Sequence, residues 1–483
     1  MTRMSQRLLV LVLLVAVGFA AYQTVATNRA IDSSLVAKSD ETLNVKLSVL
    51  ETPVISARRI PAFLQAPESD RVLRNELGPL VDEFPDGSCV VVIEKGRTIY
   101  DYHAERPLIP ASIQKLLIAY SALDILGPEY VFTTRLVAQV LPIDGVLYGD
   151  AWVVGSGDPL LMTGSYAERF EDPFPYTDLA QLTARIEATG LKKIEGSLIG
   201  DESRFDNQRW VDTWPERFRA GEQNQSGPLG ALIVNGGFQS WDPVRTSNGF
   251  SKPASEPAKH VALVLDDLLE EQGLVITGGP LVGITPQDAT FQIASIDSPP
   301  LKEIVSQMLV TSDNTTAELL LKELAAIISL PGTSIGGSIA VMENLTKNGY
   351  SIEQAVINDG SGLDPGNRTT CNLVAGILDT THDSPELVRA LPISGKSGTL
   401  RKRFVDTSGE GRVRGKTGSL RDVLSLAGIV ETLEGRSLTF VLITNTEAKS
   451  SQLKSLHDDV VLSLMTYPAG PPLELLAPLP ASG

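Results

Sequence analysis

The sequence is poor in the residues that bind transition metals and crosslink small domains. Its 483 residues include two cysteines and four histidines. Cys89 and Cys371 form no Cys-x-x-Cys pair and lie in apolar runs, which favours two buried free thiols over a single disulfide in an oxidising compartment. No histidine stands at ligand spacing from another: His103, His260, His382 and His457. We therefore expect no metal site and no cofactor.

Positive charge is also scarce. Lysine and arginine number 41 against 58 aspartates and glutamates, which gives a formal net charge of −17. Nucleic acids and anionic lipids are bound by clustered cations, so we expect no nucleic-acid partner. Hydrophobic residues make up 42% and charged residues 20% of the chain, a composition typical of globular proteins.

Long apolar runs are nearly absent, and the clearest one lies at the N-terminus. Arg3 and Arg7 precede the uncharged run Leu8–Tyr22, and small residues suited to a cleavage site stand at its end. The run is shorter than the about 20 apolar residues of a membrane span. We predict a signal peptide over residues 1–26, with an uncleaved membrane anchor through residues 8–26 as the alternative. Either segment predicts export to the periplasm or the cell exterior.

The order of strand and helix patterns predicts one domain that is split by an insertion. Runs of β-branched and apolar residues predict two hairpins, each beside a long helix: Ser88–Glu94 with Arg97–Tyr102, and Val423–Val430 with Ser437–Thr444. Between them the chain turns to short strands, turns and isolated helices. We predict the following divisions: a linker over residues 27–70, a split domain formed by 71–134 and 290–466, one or more inserted domains over 135–289, and a Pro-rich tail over 467–483.

The run Ser112-Ile113-Gln114-Lys115, at the start of a predicted helix, is the strongest chemical feature. Residues three apart share a helix face, and the free N–H groups of a helix start favour a developing anion. Ser112 is therefore a candidate nucleophile and Lys115 its general base. Lowering the pKa of a lysine from about 10.4 to near 7 costs about 4–5 kcal/mol. Since burial and a nearby cation have this effect, the hypothesis predicts a second lysine in the site.

The same spacing recurs at Ser451 and Lys454, so the pattern has little specificity alone. Almost no chain follows Ser451 to complete a site. An exposed helix face is the better interpretation of this second occurrence.

A second motif, Ser312-Asp313-Asn314, precedes a predicted helix. Ser312 could relay protons between Lys115 and a leaving amine, and Asn314 could bind a substrate amide. Serine, aspartate and asparagine also cap helices, so helix capping is the competing interpretation.

A third motif, Lys416-Thr417-Gly418-Ser419, lies just before the apolar strand Val423–Val430. Lys416 would be the second cation that the site requires, and it could also hold a substrate carboxylate. Gly418 would let a substrate backbone approach closely. The competing interpretation is a turn before a hairpin strand.

In this order the three motifs resemble the active-site set of penicillin-recognising serine enzymes. Neighbouring stretches narrow the resemblance to the D-alanyl-D-alanine carboxypeptidases of the serine peptidase S13 family, the penicillin-binding protein 4 group. The resemblance covers about residues 75–465 and includes these stretches: Gly155–Pro159, Val234–Gly237, Ser312–Glu318, Asp359–Leu363 and Gly411–Gly418.

This resemblance implies an α/β (α+β) fold with a penicillin-binding, β-lactamase-like transpeptidase domain, in which helices flank a central antiparallel sheet and a large mixed α/β insertion is present. It implies an acyl-ester on Ser112, with Lys115 and Ser312 also catalytic and the oxyanion held by the N–H groups of Ser112 and Ser419. Substrate binding would fall to the remaining motif residues: Asn314, Lys416, Thr417, Gly418 and Ser419.

The resemblance also implies the partners and the location. The substrates would be the D-Ala-D-Ala stem peptides of peptidoglycan, with DD-endopeptidase action on crosslinks as a further activity. β-Lactam antibiotics would be covalent inhibitors, and the protein would act in the periplasm or at the cell wall.

Other patterns offer alternatives. Gly332–Gly336 fits a nucleophile elbow around Ser334, but a predicted helix precedes it where a strand is required. Lys396-Ser397-Gly398 imitates the third motif, but a basic, loop-like segment follows it. The scaffold could also serve a β-lactamase or esterase, or a non-catalytic wall-binding protein. The absence of Tyr-x-Asn and the intact three motifs favour the carboxypeptidase.

Overall fold

The structure, a computed structural model, describes residues 61–219, 225–242, 251–379, 385–447 and 451–469. The predicted signal peptide or anchor, residues 27–60 of the predicted linker and residues 470–483 of the predicted tail lie outside these ranges. Within them, no helix combines the length and apolar character of a membrane span.

The elements are numbered in chain order. The helices are α1 (Pro61–Val81), α2 (Lys115–Leu126), α3 (Gly164–Ala167), α4 (Leu179–Glu187), α5 (Pro257–Glu271), α6 (Leu301–Thr311), α7 (Asn314–Ile327), α8 (Ser334–Lys347), α9 (Cys371–Asp379), α10 (Pro385–Arg389) and α11 (Ser451–Ser463).

The strands are β1 (Ser88–Glu94), β2 (Arg97–Tyr102), β3 (Thr133–Ala138), β4 (Val146–Leu147), β5 (Ala151–Val154), β6 (Leu161–Met162), β7 (Thr177–Asp178), β8 (Lys193–Ile194), β9 (Leu198–Asp201), β10 (Phe238–Trp241), β11 (Ser251–Pro253), β12 (Val275–Ile276), β13 (Leu281–Val282), β14 (Phe291–Asp297), β15 (Val413–Leu420), β16 (Val423–Glu431) and β17 (Ser437–Asn445).

The central sheet has the strand order β15-β16-β17-β1-β2, and each neighbouring pair is antiparallel. Successive side chains of a strand point to opposite faces, and both faces of β1 are buried. Val91 and Ile93 pack in a core with helices α2, α6, α7, α8 and α9, whereas Val90 and Val92 pack with α1 and α11. The two predicted hairpins and the antiparallel sheet flanked by helices are confirmed.

The insertion has a sheet of its own, with the order β13-β9-β5-β3-β14. Strands β3 and β14 pair antiparallel, from Thr133 opposite Asp297 to Ala138 opposite Phe291, so the chain enters and leaves the insertion through neighbouring strands. Helices α4 and α5 share an apolar core with this sheet. Through its pairing with β3, strand β14 extends this sheet to Asp297, whereas the predicted insertion ends at residue 289, eight residues earlier.

The ends of the split domain also differ from the prediction. Residues 61–70, predicted as linker, begin α1, whose Leu73, Leu77 and Val81 are buried against the central sheet. Tyr467, predicted as the start of the tail, is buried, and its hydroxyl donates to Asp70 Oδ1 at 3.0 Å. The prolines that suggested irregular chain are tolerated within α1 and after the last helical turn, where burial of apolar side chains stabilises the segment.

Cys89 and Cys371 form a disulfide, so the prediction of two free thiols is wrong. Helix α9 packs on the face of β1 from which Cys89 points, and this brings the Cα atoms within 6.1 Å. The apolar surroundings from which free thiols were predicted enclose a buried disulfide instead.

Candidate active site

Ser112 and Lys115 meet at the start of α2. Residues Ala111–Gln114 form a 3-10 turn, and Lys115 is the first residue of the α-helix that follows, so the predicted helix begins one turn later than Ser112. Lys115 Nζ lies 3.2 Å from Ser112 Oγ. Ser112 is partly exposed while Lys115 is fully buried, which places the hydroxyl at the surface of a cleft and the amine behind it.

The partners of Lys115 suit a neutral amine. Two carbonyl oxygens accept from its Nζ, Asn314 Oδ1 at 2.7 Å and the backbone oxygen of Ser361 at 2.5 Å. The Asn314 amide has a defined orientation because its Nδ2 donates to the Gln225 backbone oxygen at 2.7 Å. A neutral lysine has two N–H bonds and one lone pair. With both N–H bonds directed to carbonyl oxygens, the lone pair is left to accept the proton of Ser112.

Burial lowers the pKa of Lys115 to about 8, against the opposing charges of Asp359, Glu318 and Asp313. Burial, together with the charge of Lys115, also lowers the pKa of Lys416 well below its usual range. Lys416, the expected second cation, therefore lies near Lys115, but it is not the main cause of the lowered Lys115 pKa. Removal from water is the main cause, and repulsion between the two ammonium groups adds to it at Lys416.

The second motif joins α6 to α7. Ser312 adopts a left-handed conformation (φ 58°) after the last turn of α6, which turns its side chain into the site. Asp313 caps α7, since its carboxylate accepts from the Thr316 N–H at 2.8 Å. The capping interpretation is thus satisfied by Asp313 alone, and Ser312 and Asn314 remain available to the site.

The third motif lies within β15, at the edge of the central sheet, and not in a turn before it. Lys416 Nζ donates to Ser312 Oγ at 2.8 Å and to the Thr417 backbone oxygen at 2.8 Å. A Cβ atom at Gly418 would lie 2.2 Å from Ser425 Oγ, 2.9 Å from the backbone oxygen of Pro110 and 3.0 Å from the backbone nitrogen of Ser112. Glycine is therefore required where β15 passes the Ser112 turn.

One cleft of about 930 Å³ contains residues of all three motifs, including Ser112, Ser312, Asn314, Thr417 and Ser419. Lys115 and Lys416 lie buried beneath its surface. The insertion contributes to its walls through three side chains in particular: Tyr166, Arg217 and Phe238. The sequence-predicted residues, distant in the chain, are brought together here.

The other serines and lysines that the sequence offered as candidates do not line this cleft. Ser334 begins α8 after a loop, with no strand before it, and Lys396 is not part of the cleft wall. Ser451 and Lys454 lie on the exposed start of α11 and do not line this cleft, although they line a smaller pocket together with Thr417, Gly418 and Ser419. Among the described residues, no group of three or more His, Cys, Asp or Glu side chains could hold a metal ion.

Sequence reasoning gave no role to the turn that completes the surroundings of Lys115. Asp359, Ser361 and Glu318 fall within stretches that carry the family resemblance, but the contact of Ser361 with Lys115 is made by a backbone oxygen. Every residue type has a backbone oxygen, so the identity of residue 361 does not indicate that it accepts a hydrogen bond from Lys115. The Asp-Gly-Ser-Gly composition of the turn is the signal that could have pointed to it.

Comparison with known proteins gives a family match and several related proteins. The model of the D-Ala-D-Ala carboxypeptidase 3 (S13) family matches residues 81–249 and 246–465. A D-alanyl-D-alanine carboxypeptidase of Actinomadura sp. (strain R39) is 28% identical over 460 residues, covering 80% of this chain and 82% of that protein. A carboxypeptidase of Mycobacterium tuberculosis is 30% identical over 363 residues, covering 72% and 74%.

Among solved structures, penicillin-binding protein 4 from Haemophilus influenzae has a TM-score of 0.67 at 22% identity, covering 83% of this chain and 99% of that one. The same protein complexed with a β-lactam has a TM-score of 0.62 at 24% identity, covering 81% and 99%. These likenesses show the fold, and the family match extends through all three motifs. The chain belongs to the S13 family of D-Ala-D-Ala carboxypeptidases.

Proposed function

We propose that this protein is a serine-type DD-carboxypeptidase that cleaves the D-Ala-D-Ala ends of peptidoglycan stem peptides through an acyl-enzyme on Ser112. The observation that carries the proposal is the contact of Ser112 Oγ with a buried lysine amine whose two other partners are carbonyl oxygens. Family membership and the carboxypeptidase relatives supply the substrate class.

The first half-reaction forms the acyl-enzyme. Lys115 takes the proton of Ser112 while Oγ attacks the carbonyl carbon between the two D-alanines. The oxyanion would be held by the backbone N–H groups of Ser112 and Ser419, each worth about 3–4 kcal/mol. As the C–N bond breaks, Lys115 passes the proton it took from Ser112 through the Ser312 hydroxyl to the leaving D-Ala amine, which returns Lys115 to its neutral form. Ser312 Oγ is held by Lys416 Nζ at 2.8 Å.

The second half-reaction consumes water. Lys115, again neutral, takes a proton from water as its oxygen attacks the ester carbonyl, and the proton returns to Ser112 when the ester bond breaks. Lys416, Thr417 and Ser419 are the proposed holders of the carboxylate of the terminal D-Ala. Asn314 keeps one N–H bond for a substrate carbonyl, since the other donates to Gln225.

β-Lactams would acylate the same Ser112 and so act as covalent inhibitors, and cleavage of crosslinked peptides would be a DD-endopeptidase reaction by the same steps. Export to the periplasm or cell exterior is supported by the basic and apolar residues 1–26 and by the disulfide, which persists in oxidising compartments. Attachment to the membrane through residues 8–26 would follow if the segment is not cleaved.

The proposal is tested with a fluorescent penicillin and with D-Ala release from a diacyl-lysyl-D-Ala-D-Ala peptide. Wild-type protein should become labelled and release D-Ala, and Ser112→Ala should do neither. Ser334→Ala is the matched control, because Ser334, the serine of the Gly332–Gly336 pattern, begins α8 and lines neither the cleft nor the neighbouring pocket of β15, so it should not be needed. Labelling that survives in Ser112→Ala would refute the assignment. Rapid penicillin turnover without D-Ala release would indicate a β-lactamase, and no reaction at all would indicate a wall-binding protein.

A further inference from the structure

Glu318 is a buried acid that does not contact Ser112 and has no part in the steps above. It lies one turn after Asn314 on α7, and residues four apart share a helix face. Its Oε1 accepts from the backbone N–H of Ser361 at 2.7 Å, and both carboxylate oxygens lie 3.1 Å from the N–H of Gly360. Helix α7 therefore supports Lys115 in two ways. Asn314 accepts a hydrogen bond from the amine directly, and Glu318 holds Ser361, whose backbone oxygen accepts another.

The turn Asp359–Leu363 has no room to move away from these partners. A Cβ atom at Gly360 would lie 2.5 Å from the backbone oxygen of Ala317 on α7. Gly362, at φ 83°, would place a Cβ atom 2.0 Å from the backbone oxygen of Ala111, next to the nucleophile. The turn is therefore a spacer between α7 and the Ser112 turn, and Glu318 holds it from the α7 side.

Asp359 fixes the other end of the turn. Its carboxylate accepts hydrogen bonds from five groups: Trp214 Nε1, the N–H groups of Gly362 and Asp364, Asn367 Nδ2 and Ser361 Oγ. The negative charge of Asp359 disfavours the ionised form of Glu318, the second carboxylate buried nearby.

The charges that face Glu318 come from Asp359 in the turn and Lys115 in α2. Asp313, the cap of α7, also acts on Lys115, and Lys115 acts in turn on Lys416 in β15. Burial and the charge of Asp359 raise the pKa of Glu318 to about 8, although its N–H partners oppose this. The charge of Glu318 in turn opposes the lowering of the Lys115 pKa. The acid and the base therefore titrate as a linked pair.

We propose that Glu318 is a positioning residue for the general base: it holds the Ser361 carbonyl against the Lys115 amine, and its charge sets the pH at which that amine becomes free to take the Ser112 proton. This inference rests on the proposed function, because it assigns Glu318 to the same acylation step. It adds a residue that touches neither substrate nor nucleophile.

Two substitutions separate charge from position. Glu318→Gln keeps the side-chain length and removes the charge, so Lys115 should lose its proton more readily. The acid limb of the acylation rate with penicillin should move to lower pH by about one unit. Glu318→Asp keeps the charge but withdraws it by one methylene, so the hydrogen bond to Ser361 should be lost and acylation should slow about tenfold. The acid limb should move in the same direction as in Glu318→Gln, but by less.

Glu323→Gln is the matched control. Glu323 is also fully buried on α7, where it accepts from Tyr130 Oη at 2.7 Å and from Arg204 Nε at 2.7 Å. It has no contact with the turn or with Lys115. Its substitution should lower thermal stability and leave the acid limb in place, as expected of a merely structural role.

An acid limb that is unchanged in a folded Glu318→Gln protein, or that moves to higher pH, would overturn the proposal. If Glu318→Gln does not fold, the Asp variant carries the same test, and an unshifted limb there has the same meaning. A second readout does not need catalysis: the 13Cε signal of Lys115, assigned by its loss in Lys115→Met, should titrate at lower pH in the Gln variant. If wild-type protein fails to react with penicillin while this signal still shifts, the proposed function fails and the linkage of Glu318 to Lys115 stands.

Discussion

Replacing Lys115 by methionine should change how the stability of the protein depends on pH. The folded protein holds Lys115 at a pKa of about 8, compared with 10.5 when it is exposed. Between these values the unfolded chain binds the proton and the folded protein does not, so the stability of the wild type rises with pH in this window. The Lys115→Met protein lacks this contribution.

The size of the effect follows from the two pKa values. At about 1.4 kcal/mol per pH unit, the free energy of unfolding of the wild type should gain about 3 kcal/mol on the Lys115→Met protein between pH 7 and pH 10.5. Repulsion of Lys416 by Lys115 adds in the same direction. The substitution also leaves two carbonyl oxygens without a donor, at a cost of about 1–3 kcal/mol each, but that cost does not vary with pH.

The measurement is urea unfolding of both proteins at pH 7 and pH 10.5, with Lys454→Met as a control because Lys454 is exposed on α11. The difference between wild type and Lys115→Met should change with pH, and the difference between wild type and Lys454→Met should not. A difference for Lys115→Met that stays constant, or that falls as pH rises, would refute the burial argument. It would mean that Lys115 is charged in the folded protein up to its ordinary pKa.

Two further outcomes are expected. Reduction of the disulfide between Cys89 and Cys371, which closes a loop of 282 positions, should lower the free energy of unfolding by about 2–5 kcal/mol; since these are the two cysteines of the chain, a urea midpoint unchanged by dithiothreitol would contradict the disulfide. Gly418→Ala should slow penicillin acylation at least about tenfold, because its Cβ would lie 3.0 Å from the Ser112 nitrogen. Gly279→Ala, where a Cβ meets nothing within 4 Å, should not slow it.

The parts of the fold that sequence reasoning predicts are those set by local pattern. The hairpin Ser88–Glu94 with Arg97–Tyr102 is visible because its first strand is a run of β-branched residues and Lys95-Gly96 supplies the turn. The three motifs are visible because each keeps its residues within one turn or strand. Their meeting in one cleft follows from packing between distant elements, which the order of motifs indicates only through family resemblance.

The features that sequence reasoning missed all depend on contacts between distant segments. Cys89 and Cys371 are joined because α9 lies on β1, and nothing in the local sequence of either cysteine indicates that packing. Strand β14 belongs to the sheet of the insertion through its pairing with β3, a partner far earlier in the chain that the local sequence of β14 does not indicate. Of the two causes named for the lowered pKa of Lys115, burial is the one that acts, and the charge effect between the two lysines appears at Lys416 instead, which depends on how deeply each packs.

The acids around Lys115 are arranged so that they act on the base without competing with it. Asp313 accepts from the Thr316 N–H, Glu318 from the turn, and Asp359 from five donors, so none of them is directed at Ser112 Oγ. Lys115 is the basic group that contacts this hydroxyl among the described residues. The hydrogen bond to Ser112 and the electrostatic effect on its base therefore come from different residues. Removing Lys115 removes the proton acceptor, whereas neutralising one of the acids changes the pH at which Lys115 can accept the proton. A carboxylate close enough to bond Ser112 would abolish that separation, because it would hold the serine proton at the pH where the lysine has to take it.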